Sequence, residues 1–495
     1  MIEKRRSWLP LLAWSGLAAL ILFQAWAYYF RLDLSLGPRV IAQPWFLQNY
    51  MVLYEQMGDQ HMMLLPLLLV PLRLLVPDGL QLAKLVLVAL ISLSTLLTFV
   101  AGRRTTGWPG GSITAIVAAL FFVAWSPVFG FGKLWHETFL APVYALLLLL
   151  YDPAAPRRST RTLLLLGILG GIGILLKQQA AIVFGAFVLW SAWTTWHTHR
   201  SKRDVVREAG LMILGAVLPF VTFITYQYVR AGTLQSFWYW TVTYNLTSDY
   251  RTLAAYIPNT VQIRLIASGF LLVPAALVCL LDQKRQGNKL WMSLGWGLTL
   301  FVTGSLTAYP RFEFFHFQAV LPALAWLSAV PLAGALQSGK EGRSFATAIA
   351  VTLLAFWLVT AATFYRPVAS TGEARKIWEY SDLMPLAAEI RQQIGPHDCI
   401  YIFPDDEATA NLYYLTRCMP RLWVFSYPWF MIDPIKQQVL AAIEKDPPQW
   451  VVTFPGRWEI EKTAPEVMGY LEDHYRRQVE LNWAQGEAWL LRRLP

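Results

Sequence analysis

Apolar runs about twenty residues long, the length at which a helix crosses roughly 30 Å of hydrocarbon, recur along the first three quarters of the chain and then stop. They predict about eleven spans, at residues 8–30, 81–101, 111–129, 135–151, 162–176, 178–196, 209–228, 260–281, 290–306, 317–336 and 345–364. Past residue 366 the pattern becomes one of amphipathic helices and short buried strands. Helices are expected at 374–394, 405–415, 435–445 and 465–475, and strands at 399–403, 450–454, 479–483 and 488–491. The fold class implied is a polytopic α-helical membrane protein, residues 1–365, carrying a C-terminal soluble α/β domain, residues 366–495.

One apolar stretch, 61–76, is too short and too broken to read as a span: it contains Pro66, Pro71 and Arg73 and ends at Pro77-Asp78-Gly79. If it crosses, Arg103 and Arg104 fall outside and every later loop changes side. If it only dips into the bilayer, all six strongly basic segments (4–6, 103–104, 157–161, 200–207, 284–289 and 340–343) fall on the cytoplasmic side, as the positive-inside rule asks. The second reading puts a long first loop, 31–79, and the C-terminal domain on the extracytoplasmic side, with 44–54 as a surface-lying helix. Partly inserted backbone survives at membrane depth only where protein buries it or it lines a wet cavity, so 61–76 also marks a cavity. The first span, preceded by Lys4, Arg5 and Arg6, has an apolar core longer than a signal peptide's and is read as uncleaved.

Composition agrees: 56% of residues are hydrophobic, and 23 are Trp. The net charge of +10 resides in short clusters between spans, which fits membrane topology rather than a nucleic-acid surface. The three cysteines form no CxxC pair, and a disulfide between Cys399 and Cys418 stays an open alternative for an extracytoplasmic domain. No P-loop, GxGxxG or HExxH is present, so no cofactor is expected and a divalent cation has no sequence support.

Ionisable residues kept at the membrane are costly and are functional candidates by default. In the first loop they are Asp33, Arg39, Glu55, Asp59 and His61, the last two inside Tyr54-Glu55-Gln56-Met57-Gly58-Asp59-Gln60-His61. Further on come Glu137 at the head of a span, Lys177 alone between two apolar runs, and Arg311, Glu313 and His316 in an aromatic loop. Each has a plainer reading: Glu137 as a partner for the helix dipole, Lys177 as a snorkelling anchor, Arg311 and Glu313 as a mutual pair. Together, the carboxylates suit deprotonation of an acceptor and the cations suit a phosphate leaving group.

The order of parts resembles the GT-C glycosyltransferases, the membrane class that includes protein O-mannosyltransferases and aminoarabinose transferases. The resemblance rests on the first-loop segment ending Asp59-Gln60-His61, the acid Glu137 opening a span, and the turn from Gly167 to Gln178. It rests also on the loop from Arg311 to His316 and on the α/β tail with its Cys399-Ile400-Tyr401-Ile402-Phe403 strand. It implies an inverting transfer of sugar from a polyprenyl-phosphate donor to an extracytoplasmic lipid, glycan or protein acceptor. A first-loop acid, Asp33 or Asp59, would be the base and Glu137 a second acid, with His61, Lys177, Arg311, Glu313 and His316 binding substrate. The chain departs from the family where an Asp-Glu pair would align near Gly37-Pro38, which carries no acid, and where paired prolines are replaced by Met62 and Met63. A transporter or flippase for a lipid-linked or anionic substrate, and a non-catalytic membrane scaffold, are the rival readings.

Overall fold

The computed structural model describes residues 8–105, 110–153, 155, 157–199, 201–247, 277, 280–281, 284, 290–309, 312–338, 355, 358–369 and 375–495. The spans expected at 260–281 and 345–364 lie largely outside these, as does Arg311. The others are helices: Leu9–Trp26, Gly79–Thr105, Gly110–Trp125, His136–Leu150, Thr160–Leu176, Ala180–His199, Lys202–Ala231, Leu290–Leu306 and Leu321–Ser338. Among the described residues, Leu9–Arg31, Gly79–Arg104 and Lys202–Ala231 are long and apolar enough to cross a membrane. The broken stretch 61–76 folds as Leu64–Leu75, 12 residues with Pro71 inside. At 1.5 Å per residue it is about 18 Å long, well short of a bilayer core.

Two of the helices cross at unusually close range. A Cβ on Gly167 would stand 2.1 Å from the carbonyl oxygen of Met212, one on Gly171 2.4 Å from that of Ala216, and one on Gly215 2.3 Å from that of Leu164. Small residues at four-residue spacing thus let Thr160–Leu176 lie backbone to backbone on Lys202–Ala231. The first of these helices ends at Lys177, whose backbone is extended. The close crossing therefore fixes where that lysine leaves the bundle.

The tail carries a four-stranded mixed sheet. Strand β3 (Ile400–Ile402) runs parallel to β4 (Trp450–Thr453), which pairs antiparallel with β6 (Gly486–Arg493), itself in a hairpin with β5 (Tyr475–Trp483). Helices Asp433–Lys445 and Pro465–His474 match their expected positions. The helix expected at 374–394 begins only at Leu383, because Ile377–Trp378 is instead strand β2, paired in parallel with β1 (Leu34–Ser35) of the first loop. The one expected at 405–415 is Asn411–Thr416; the acids before it form a turn in which Asp406 accepts from the amides of Ala408 and Thr409. Cys399 and Cys418 are free thiols.

The first-loop helix also differs from expectation. It is Ala42–Gln48, and it is buried rather than surface-lying. Phe46 packs edge-on against Tyr413 of the tail at 5.8 Å and against Trp423 at 6.0 Å. Tail and first loop are therefore one packed body, with the Tyr414 hydroxyl accepting from the amide of Gly79 at the head of Gly79–Thr105.

Replacing Gly171 by Ala should lower stability by about 1–3 kcal/mol, through overpacking against Ala216 and Pro219. Gly210→Ala on the facing helix, where an added Cβ meets nothing within 4 Å, should be neutral or stabilising. Thermal unfolding of the purified protein in detergent separates the two.

Candidate active site

The turn that carries Asp59 is fixed before any charge is considered. Tyr54 adopts a left-handed backbone (φ 64°), and its hydroxyl donates to the carbonyl of His61 at 2.9 Å and accepts from the amide of Met63 at 3.0 Å. From the tail, the Trp423 amide donates to the carbonyl of Gln56 (2.8 Å), and the Gly58 amide donates to the carbonyl of Trp423 (2.9 Å). Residue 58 has to be glycine, since a Cβ there would sit 2.3 Å from the indole of Trp240. Asp59 then points into a fully buried site.

Three side chains meet its carboxylate. Arg39 donates through Nε to Oδ2 at 3.1 Å with Nη2 at 3.0 Å, Gln43 Nε2 reaches Oδ2 at 3.4 Å, and His61 Nδ1 lies 2.7 Å from Oδ1. Asp59 accepts only, so this contact assigns the His61 proton to Nδ1 and leaves Nε2 as the basic nitrogen. Burial alone would raise the Asp59 carboxyl, but Arg39 and His61 overcome it and hold it well below the carboxylate range. The His61 imidazole is pushed below its ordinary value by burial, against the pull of Asp59.

A second cluster lies beside the first. Glu137 is at the first turn of His136–Leu150, and its Oε1 accepts from Lys177 Nζ and, at 2.5 Å, from His316 Nδ1. Lys177 also donates to the carbonyl of Thr307 at 3.2 Å. Glu137 Oε2 is buried with no hydrogen-bond partner among the described residues, and so are both ring nitrogens of His136, whose ring stacks on His61 at 5.0 Å. Glu313 sits beside His316, its carbonyl accepting the amide of that residue at 3.0 Å.

The structure thus brings Asp59, His61, Glu137, Lys177 and His316 together. It sets Asp33 apart: that side chain is exposed and accepts from the amide of Lys376, closing the β1/β2 pair. Two participants, Lys133 and Glu407, escape sequence reading. Arg39, Lys133 and the tail's Glu407 line one cleft with His61 and His316, roofed by Tyr427, Trp429 and Phe430. Glu407 bridges Arg39 (3.4 Å) and Lys133 (3.6 Å). Behind it, burial pushes the carboxyl of Glu379 up to about 7, with Glu407 and Asp406 acting the same way against Lys133. The only sequence signal for Glu407 is that Asp405-Asp406-Glu407 is an acidic run followed by apolar residues; nothing local says what it faces.

Neither a protein-family model nor a curated protein matches the sequence. Solved structures do match. ArnT from Cupriavidus metallidurans bound to undecaprenyl phosphate aligns over 96% of this chain and 97% of its own at 14% identity, with a TM-score of 0.57. The apo form of the same protein gives a TM-score of 0.58, also at 14% identity, over 97% and 98% of the two chains. The archaeal oligosaccharyltransferase AglB from Archaeoglobus fulgidus, in complex with an inhibitory peptide and a dolichol-phosphate, aligns over 96% of this chain and 74% of its own at 12% identity, with a TM-score of 0.50. The chain thus shares its fold with these proteins along nearly its whole length.

Because Lys177 and Glu137 are both buried, removing one partner strands the other. Lys177→Met or Glu137→Gln alone should cost about 3–5 kcal/mol, and the double variant should recover most of it. A double-mutant cycle by denaturant unfolding measures the difference.

Proposed function

We propose that this chain is an inverting glycosyltransferase of the GT-C type, which moves a sugar from a polyprenyl-phosphate donor to a lipid, glycan or protein acceptor on the extracytoplasmic side of the cell membrane. The observation that supports this most is the convergence of the Asp59–His61 pair and the Glu137–Lys177–His316 cluster beside one cleft under the tail, in a fold shared with a protein that holds undecaprenyl phosphate.

In this reading His61 removes the acceptor's proton through Nε2, while Asp59 keeps Nδ1 protonated and stabilises the imidazolium that forms. The acceptor oxygen bonds to the anomeric carbon as the bond from that carbon to the phosphate oxygen breaks. Lys177 and His316, with Arg311, hold the departing phosphate, and Glu137 keeps Lys177 and His316 in place through Oε1. The contact of Asp33 with Lys376 argues against it as the base.

A neutral imidazole is the active form, and burial lowers the His61 value. Transfer from a purified polyprenyl-phosphate sugar should therefore fall on acidification with a midpoint below 6.5 and stay level through neutral pH. Asp59→Asn and His61→Ala should each reduce kcat by roughly 100-fold or more. Unchanged transfer in both variants would remove the dyad from the mechanism.

Sidedness has its own test. Cys399 is an exposed thiol on the tail. A membrane-impermeant maleimide applied to intact cells should label the protein, and Cys399→Ser should abolish the labelling. Labelling that needs prior lysis would put the tail in the cytoplasm.

A further inference from the structure

A cleft of about 850 Å³ lies where three parts of the chain meet: the turn Tyr54-Glu55-Gln56 of the first loop, residues 235–240 after the helix Lys202–Ala231, and the tail helix Asp433–Lys445. Its size falls in the upper part of the roughly 300–1,000 Å³ typical of ligand sites. The tail helix turns Ile435, Val439 and Ile443 into its own core and gives the cleft Gln438, Ala441, Ala442 and Lys445, one face at i, i+3, i+4 and i+7 spacing. Two alanines in the middle of that face leave room that longer side chains would fill.

A second cleft, of about 350 Å³, continues the first. The two share Arg421, Leu422, Ala442 and Asp446, and the second adds Gln449 and the start of strand β3. The exposed ion pair of Arg421 and Asp446 stands at the junction. Together they form a trough with room for an extended ligand of several units.

The lining indicates the chemistry of that ligand. Gln56, Gln235, Gln438 and Gln449 set amides along the trough, each able to donate and to accept, as a sugar hydroxyl also is. Gln56 is preset, since its amide oxygen accepts from the amide of Val52 at 3.0 Å. Tyr239 supplies a half-buried ring, braced edge-on by Trp240 at 5.6 Å, against which a face of C–H bonds can stack. An acyl chain would strip water from these amides and give nothing back. A peptide added as a further strand is shut out at β3, because the amides on its outer edge are already spent: that of Ile400 donates to Cys418 Sγ at 3.2 Å and that of Ile402 to the Tyr413 hydroxyl at 2.9 Å.

We infer that this trough is a carbohydrate-binding site for an extended glycan. Its inner wall belongs to the turn that aims Asp59, through Tyr54 and Gln56, and to Trp240, which packs on Gly58 of the same turn. That the bound glycan is the acceptor rests on the glycosyltransferase reading, and it selects the glycan from the lipid, glycan and protein acceptors named there.

The test applies the full chain in detergent to an array of oligosaccharides of graded length and, in parallel, to an array of peptides, and measures the Kd of the best binder by titration. The wild type should bind glycans, longer ones more tightly than shorter. Ala441→Trp, which fills the trough from an exposed position, and Tyr239→Ala should each weaken the best binder at least about tenfold at wild-type thermal midpoints. Gln438→Ala, also at an exposed position, should weaken it about threefold and carries the test if the larger changes disturb folding. No glycan bound by the wild type, or unchanged affinity in the folded variants, overturns the site. Capture of peptides in place of glycans, lost in Ala441→Trp, overturns the carbohydrate and makes the occupant a polypeptide. Transfer from a purified polyprenyl-phosphate sugar is read separately: transfer without glycan binding keeps the enzymatic reading and removes the trough, while glycan binding that the variants lose, without any transfer, keeps the trough and removes the enzymatic reading.

Discussion

A carboxylate removed from water must be met by a cation or a hydrogen-bond donor, because the effective desolvation cost of an unmet charge is several kcal/mol. Asp59 and Glu137 are both shielded from solvent, and the architecture of the site follows from how each is met. Asp59 draws Arg39 from twenty residues upstream and His61 from two downstream. Glu137 draws Lys177 from the end of a helix that closes on its neighbour through glycines, and His316 from a 3-10 segment 179 residues away. Because the partners come from separate elements, satisfying two acids fixes the path of the first loop and the relative placement of three helices. Such pairs need not add net stability; they make wrong arrangements expensive.

What could be read along the chain and what could not divides by the range of the interaction. Hydropathy located most helices of the described residues within a few positions, because packing around a whole helix leaves its mark on every residue of that helix. The tail's β5/β6 hairpin and its last two helices were legible for the same reason, each burying a periodic face. Asp59, His61, Glu137, Lys177 and His316 stood out as ionisable residues in apolar surroundings. Asp33 stood out equally, yet it closes a two-residue parallel pair with a strand more than 340 residues later. A strand that short has no alternation to detect, so both the displaced start of the tail helix and the structural use of Asp33 were invisible.

Lys133 and Glu407 were missed for the converse reason. Each belongs to a turn that any solvated loop could contain, and only the tertiary approach of the tail makes them neighbours. The helix Ala42–Gln48 had an apolar face that suits an interface as well as it suits a protein core. Its burial became apparent only once Tyr413 and Trp423 of the tail were seen to lie against Phe46.

The tail is thus part of the site, and the contacts that make it so are mainly backbone ones. Hydrogen bonds between Trp423 and the 56–58 turn hold the loop that aims Asp59, while Trp240, packed against Gly58, supports the same turn from the other side. Shifting the tail would have to break main-chain pairs that no water could readily replace in so closed a place. The roof it provides is aromatic: Tyr427 and Trp429 stack at 4.8 Å with an interplanar angle of 8°, and Trp458 meets Tyr427 edge-on. Rigid rings over a floor of paired charges leave a narrow slot with an apolar ceiling and an ionic base, the two surfaces that the proposed donor, a sugar ring carried on a phosphate, would need: one to stack on its C–H face and one to hold its oxyanion.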